Sequence, residues 1–469
     1  MDELIRCSAT ELKSRLDRSD VSPLDVMEAY AERISTINPV VNALPILCVE
    51  KALEKARKLT QSNTAPKDRG VLWGLPLAVK DYNDVEGLRT TYGSPLFADN
   101  VAKASDATVR KLLASGAIPI GKSNVPEWAG AHTFNPVFGH TVNPWNSQVS
   151  AGGSSGGSAV ALATGMTAIA TGNDLGGSLR VPASFNGVVG LRPTPGRVPR
   201  GSRLPAFDTL WVEGPMGRCV EDVALMLDGG AGFDAEDPLS FSSSGESFVQ
   251  ALEETALPKR VAFSADLGAV PVEDEVADIC RGAAHRFREL GIEVVDDTPD
   301  FTGVVESFQT LRGVLVAELM GEMLEEHRNN IAPEIVWNIE RGLSVGNSEL
   351  LSAKRVRSAL YRGISEFFSR HDLLLCPAVS VAPFPKSQRY VEQINGQPTK
   401  TYIDWIAITF AITMTACPAL SLPIGFTKSG LPVGLQLVAP ARAEAALLRA
   451  AHRAEELFDC ASKTPLDPL

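Results

Sequence analysis

Residues 151–172 read AGGSSGGSAVALATGMTAIATG, a run of glycine and serine that passes directly into apolar sequence. A flexible linker would separate two folded units, but AVALATGMTAIATG is apolar and helix-competent, so the glycines lead into structure. A loop that feeds a helix N-terminus presents unpaired backbone N–H groups beside small hydroxyls, a place to handle a developing negative charge. The same texture extends from Gly70 to Pro199, with short apolar runs (LPLAVKD, AIPIGKSN, TAIATGND, GVVGLRP) divided by glycine, proline and small polar residues. Amphipathic segments such as ATVRKLLASG stand between them. Buried strands alternating with helices give an α/β fold class, in which chemistry collects on loops at strand ends.

Outside this core the pattern changes. Ser8 can cap ATELKSRLD, and Ser22-Pro23 opens a second helix, PLDVMEAYAERIS, with Leu24, Met27, Ala31 and Ile34 on one face. Residues 230–365 are more polar and strongly helical, a cap over the site or a solvated helical layer. HDLLLCPAVSVAPF and PALSLPIGF return to a strand-like pattern, and AEAALLRAAHRAEELF closes the chain as an amphipathic helix. The 469 residues, 44% hydrophobic and 21% charged, describe a globular protein with a large core. A net charge of −12 repels polyanions, so nucleic acid and anionic membrane surfaces are not expected partners. With neither a long apolar span nor a signal-peptide pattern, the expected location is cytoplasmic. The seven cysteines form no C-x-x-C and the six histidines no H-E-x-x-H, so reduced thiols and no metal are expected.

Three devices compete for the glycine-serine stretch. A phosphate loop would need a lysine after Gly157, where Ser158 stands, and a Rossmann G-x-G-x-x-G cannot be laid on GGSSGG. Gly152–Gly156 does fit the nucleophile elbow G-x-S-x-G, which would call for a Ser-His-Asp esterase and a histidine later in the chain. A second glycine-serine turn, Asn173-Asp174-Leu175-Gly176-Gly177-Ser178-Leu179-Arg180, allows successive N–H groups to converge as an oxyanion hole requires. Upstream, Lys80 ends an apolar strand, where burial lowers an amine toward a usable base, although pairing with Asp81 is the simpler reading of that lysine alone.

Taken together, these segments resemble the amidase signature family: Gly74–Asp81, Gly152–Gly157 and Asp174–Ala183 occur in order, with Ser154 and Ser178 twenty-four residues apart. The likeness takes in Lys122–Glu127, Thr141–Trp145 and Gly190–Arg197, and returns in Pro418–Gly425 and Gly430–Val438. The resemblance implies a single domain over 1–469, built as a large mixed twisted central β-sheet covered by helices on both faces. Its parts would be an N-terminal helical arm (1–60), a signature core (70–200), a variable helical cap (230–365) and C-terminal strands and helix (370–469).

It also implies an amide hydrolase of the Ser-cisSer-Lys type that needs no metal or organic cofactor. In that reading Ser178 is the nucleophile that carries an acyl group, Ser154 the bridging serine and Lys80 the base. The oxyanion hole would come from Leu175, Gly176, Gly177 and Ser178, and loop support from Asp174 and Arg180. The substrate pocket would include Ala129, Gly130, Ala131 and Ser154, with His132, Phe134 and Trp405 as further walls. The bond between Gly153 and Ser154 would be cis, and a side chain at Gly153 would crowd it. Ser155 and Ser158 read as loop or helix-start hydroxyls. Asn173 stands where many relatives have threonine, a departure expected to touch only local loop bonding. The partner is a small-molecule amide, on the scale of aryl or alkyl amides, and a homodimer is compatible with the family. Within it, the glutaminase subunit of a tRNA-dependent amidotransferase is the alternative role.

Overall fold

The computed structural model describes residues 2–62, 64–128, 130–201, 203–242, 245 and 247–468. Its apolar runs become strands of one eleven-stranded sheet: β1 (Ile46–Leu47), β2 (Pro76–Lys80), β3 (Ile118–Ser123), β4 (Ile169–Asp174), β5 (Val189–Arg192), β6 (Val212–Gly217), β7 (Arg260–Phe263), β8 (Glu293–Asp296), β9 (Leu373–Pro377), β10 (Ala419–Phe426) and β11 (Pro432–Val438). The spatial order is β1-β3-β2-β4-β6-β5-β10-β11-β9-β7-β8. The sheet is mixed. β2 runs parallel to β3 and β4, β7 runs parallel to β8 and β9, and antiparallel pairs join the strands between.

Both faces of this sheet are covered, which β2 shows residue by residue. Successive side chains of a strand point to opposite faces. Ala78 enters one apolar cluster with Ala159–Ala163 of the helix Gly156–Ala163. Leu77 and Val79 enter another with Leu112, Leu225 and residues of the N-terminal helices. A strand buried on both sides must be apolar throughout, which is why LPLAV reads as a continuous run. The helix Gly156–Ala163 can lie this close only because Gly157 lacks a side chain: a Cβ there would stand 2.3 Å from the backbone nitrogen of Asn124.

At the N-terminus, Ser8 and Ser22 cap the helices Ala9–Asp17 and Pro23–Val41, each hydroxyl accepting an N–H three residues on. The second helix buries Val26, Met27, Tyr30 and Ile34, while Leu24 and Ala31 are only half-buried, so its inner face is rotated from the expected one. A larger difference concerns residues 230–365. The four-residue strands β7 and β8, RVAF and EVVD, lie inside this stretch and extend the central sheet. From Val304 onward it is helical, and the helix Val304–Met320 packs against both Pro333–Leu343 and Asn347–Phe367. Among the described residues, no helix is long and apolar enough to cross a membrane.

Candidate active site

Parallel strands β2 and β4 end side by side, and the candidate residues gather beyond their C-terminal ends. Lys80 is the last residue of β2 and fully buried. Its amide donates to Thr171 Oγ1 of β4 (2.8 Å), which fixes where its side chain leaves the strand. Lys80 Nζ then meets Ser154 Oγ at 2.7 Å, Ser155 Oγ at 2.8 Å and Asn173 Oδ1 at 2.5 Å. Asp81, the simpler partner, pairs instead with Lys122 at 3.0 Å, and Lys80 makes no ion pair among the described residues. Burial holds its amine well below the ordinary lysine range, against the charges of Glu213 and Asp174. Burial also pushes the Glu213 carboxyl up to about 7.

The glycine-serine stretch presents its hydroxyls to this amine. The Gly153–Ser154 peptide is cis. A Cβ on Gly153 would lie 2.9 Å from the backbone of both Ala131 and His132, so the position has no room for a side chain. Ser155 begins the helix Gly156–Ala163 yet makes no side-chain cap bond, because its hydroxyl accepts from Lys80. The expected role of Ser155 as a plain helix-start hydroxyl is therefore corrected: it is a second hydroxyl on Lys80. Ser158, by contrast, bonds to Ser123 Oγ and to the Thr171 carbonyl within the core. Asn173 also departs from expectation. Its change from the more usual threonine reaches the lysine itself, through Oδ1.

The second turn is held from behind by a buried ionic cluster. Asp174 accepts from Arg180 Nη2 at 2.8 Å and Nε at 3.0 Å, and from Arg192 Nη1 at 3.1 Å. Burial pushes the Asp174 carboxyl up, but the two guanidiniums outweigh it and hold it well below the ordinary carboxylate range. Arg180 reaches on to the Thr409 carbonyl, Thr413 Oγ1 and Gln436 Oε1, tying the turn to the C-terminal elements. Asp174 Oδ1 also takes the N–H of Gly177 (2.9 Å), and Thr409 Oγ1 donates to the Gly176 carbonyl (2.8 Å). The peptide between Gly176 and Gly177 is thus pinned at both ends. Gly177 is not a free donor, which differs from the four-donor expectation. The N–H groups of Leu175, Gly176 and Ser178 have no acceptor among the described residues.

Ser154, Asn173, Leu175, Gly176 and Ser178 line one narrow cleft of about 20 Å³, closed over by Arg312 and Phe308 of the helix Val304–Met320. Ser178 is partly exposed there, between fully buried neighbours. Two larger spaces adjoin. Through Trp128, Leu175 and Trp211 the cleft borders a cavity of about 60 Å³ walled by Tyr82, Tyr92 and Met320. Through Gly130 and Ala131 it borders a groove of about 510 Å³ that His132, Phe134 and Trp405 also line. Ala129 lies outside the described residues. His132 is the histidine nearest the glycine-serine stretch, and it is committed to Ser150 Oγ (2.6 Å) and the Lys386 carbonyl (3.1 Å). Burial lowers its imidazole to about 4. No histidine lines this cleft among the described residues, so the Ser-His-Asp alternative lacks its base there.

Comparisons with known proteins place the chain in a family. A family model described as Amidase matches residues 25–448. An acylamidase from Rhodococcus erythropolis is 35% identical over 98% of this chain and 98% of its own length. A glutamyl-tRNA(Gln) amidotransferase subunit from Thermosynechococcus vestitus is 31% identical over 95% of this chain and 97% of its own length. The crystal structure of a bacterial aryl acylamidase of the amidase signature family superposes with a TM-score of 0.90 at 28% identity, covering 98% of this chain and 99% of that one. Matched from the N-terminal helices through the last strand, and carrying the three motifs at one cleft, the chain belongs to the amidase family.

Proposed function

We propose that the protein hydrolyses the amide bond of small acylated amines, releasing a carboxylic acid and an amine through an acyl-enzyme on Ser178. One observation carries this reading: a buried lysine without a carboxylate partner among the described residues stands 2.7 Å from the Ser154 hydroxyl, in the cleft that Ser178 lines. Burial lowers the amine in that setting toward its neutral form, in which it can accept a proton. Neutral Lys80 takes the proton of Ser154, Ser154 takes that of Ser178, and the Ser178 oxygen adds to the carbonyl carbon. The free N–H groups of Leu175, Gly176 and Ser178 are the donors for the resulting oxyanion, each worth on the order of 100-fold in rate or more. The proton returns through Ser154 to the leaving nitrogen, the C–N bond breaks, and water then releases the acid from Ser178.

The walls of the cleft support an apolar substrate group. Trp128, Trp211, Tyr82, Tyr92, Leu175 and Met320 make up much of the mostly apolar wall of the cavity beside it, with Asp106, Arg203 and Glu213 as its charged members, and Trp128 is stacked on Tyr92 at 5.4 Å. Such walls suit an aryl or alkyl substituent better than a free glutamine, the substrate expected of the amidotransferase role. Purified protein assayed on a panel of aryl, alkyl and glutamine amides tests the proposal, with Ser178→Ala as control. Turnover of apolar amides that Ser178→Ala loses is the expected result. Undiminished turnover by Ser178→Ala, or glutamine as the preferred substrate, would overturn it.

A further inference from the structure

Asn173 is the member of the lysine cluster at which the sequence departs from its motif, and its bonds are unusual for a buried amide. It is 2% exposed. Oδ1 accepts from Lys80 Nζ at 2.5 Å. Nδ2 is buried with no partner among the described residues. The side chain thus makes no bond that would hold a loop or strand in place. Its polar contact is with the lysine alone, in the wall of the catalytic cleft.

The geometry around Nζ gives that contact a purpose. A neutral amine has two N–H donors and one lone pair, and a base works through the lone pair. Ser154 and Ser155 are hydroxyls that can either donate or accept, so they leave the amine's orientation undecided. A carboxamide oxygen only accepts. We propose that Asn173 is a positioning residue for Lys80: by fixing one N–H on Oδ1, with Ser155 Oγ accepting the other, it turns the lone pair onto the Ser154 hydroxyl. The inference rests on the proposed role of Lys80 as the base. It also explains why a neutral amide suits this place. The other charged or titratable groups around Lys80 are Glu213 on β6, which is in register with Asn173, Asp174 on the same strand, and Tyr82, whose ring centre lies 4.8 Å from Nζ. Asp174 is neutralised by Arg180 and Arg192. A carboxylate at position 173 would add a charge that holds the lysine protonated.

The test is the pH dependence of Ser178 labelling by a fluorophosphonate probe, which reports activation of the nucleophile without assuming any amide substrate. Asn173→Asp is expected to move the acid limb of the labelling rate up by about one to three pH units, the span of a carboxylate placed against a titrating group. Asn173→Leu, similar in size but without an acceptor, is expected to label at least tenfold more slowly across the profile, with unchanged noncovalent affinity for the probe. Thermal melting of each variant confirms folding. Two folded variants whose limbs and rates match the parent would overturn the proposal. A parent that labels at Ser178 but cleaves no amide would overturn the proposed function while leaving the role of Asn173 to be judged on the limbs. Failure of the parent to label at Ser178 would overturn both.

Discussion

A single amine decides what this cleft can do. Lys80 is buried among hydroxyls and an amide, and burial favours its neutral form, so the proposed base persists to lower pH than an ordinary lysine would and is lost as pH falls through its depressed value. The acid limb of kcat/KM is therefore expected well below the usual titration range of lysine, and a pH–rate profile measures it. Lys80→Met is expected to lower kcat/KM about 100- to 10,000-fold, the span of a lost general base. Lys80→Arg should fail to restore it, because a guanidinium stays charged. Gly153 sets a second residue-scale expectation. A methyl group there would meet the Ala131–His132 backbone at 2.9 Å, next to the Thr133 N–H that donates to the Gly152 carbonyl. Gly153→Ala is expected to cost about 1–3 kcal/mol in stability, as overpacking does, and to lower kcat as well. Chemical denaturation and steady-state rates separate the two effects. The resemblance of three motifs singled out Lys80, Ser154 and Ser178, and the fold brings Lys80 to Ser154 in the cleft that Ser178 lines. The motifs could not reveal that Ser155 and Asn173 complete the lysine's shell, because both read as ordinary loop residues until β2, β4 and the glycine-serine turn are brought together. The one available signal was the departure at Asn173 itself.

At the scale of elements, the turn between β4 and the helix Arg180–Asn186 is a piece of backbone held by charge. Asp174 faces two guanidiniums in a site with no exposure, and it also caps the turn through the N–H groups of Gly177 and Leu179. Its folded-state value is depressed, so its contribution to stability is complete above the ordinary carboxylate value of about 4 and fades only as pH falls below it. Between pH 5 and 8 the cluster should leave stability flat. Removing the carboxylate leaves Arg180 and Arg192 buried without a countercharge, which costs about 3–5 kcal/mol. Asp174→Ala is therefore expected to lower the urea unfolding free energy by that amount at pH 7, with Asp174→Asn losing less because it keeps an acceptor. A drop below about 1 kcal/mol for Asp174→Ala would mean that the turn is held by its backbone alone.

The molecule as a whole joins a sheet that is largely legible in the sequence to a helix beside the cleft that is not. Runs such as LPLAV and TAIATG are apolar at every position because both faces of their strands are covered, and that pattern can be read without the structure. β7 and β8 lack it. Each is four residues long with a charged end, set in charged helical sequence, so only the pairing of β7 with β9 and of β8 with β7 identifies them as part of the sheet. The helix Val304–Met320 is harder still to interpret, since its apolar residues serve two purposes. Leu315 and Phe308 belong to the main core, whereas Met320 also walls the cavity beside the nucleophile. Substrate preference should therefore be adjustable from this helix without touching the chemistry. Met320→Ala adds space to a cavity of only about 60 Å³. The ratio of kcat/KM for a bulkier apolar amide over a smaller one is expected to rise about tenfold, within the 1–3 kcal/mol that a methylene-scale change in a pocket commands. The ratio is the quantity to measure, because truncating a buried methionine also destabilises the fold by about 2–5 kcal/mol and lowers both rates together. An unchanged ratio, with the acid limb where Lys80 sets it, would show that the substituent lies instead in the open groove lined by His132 and Trp405.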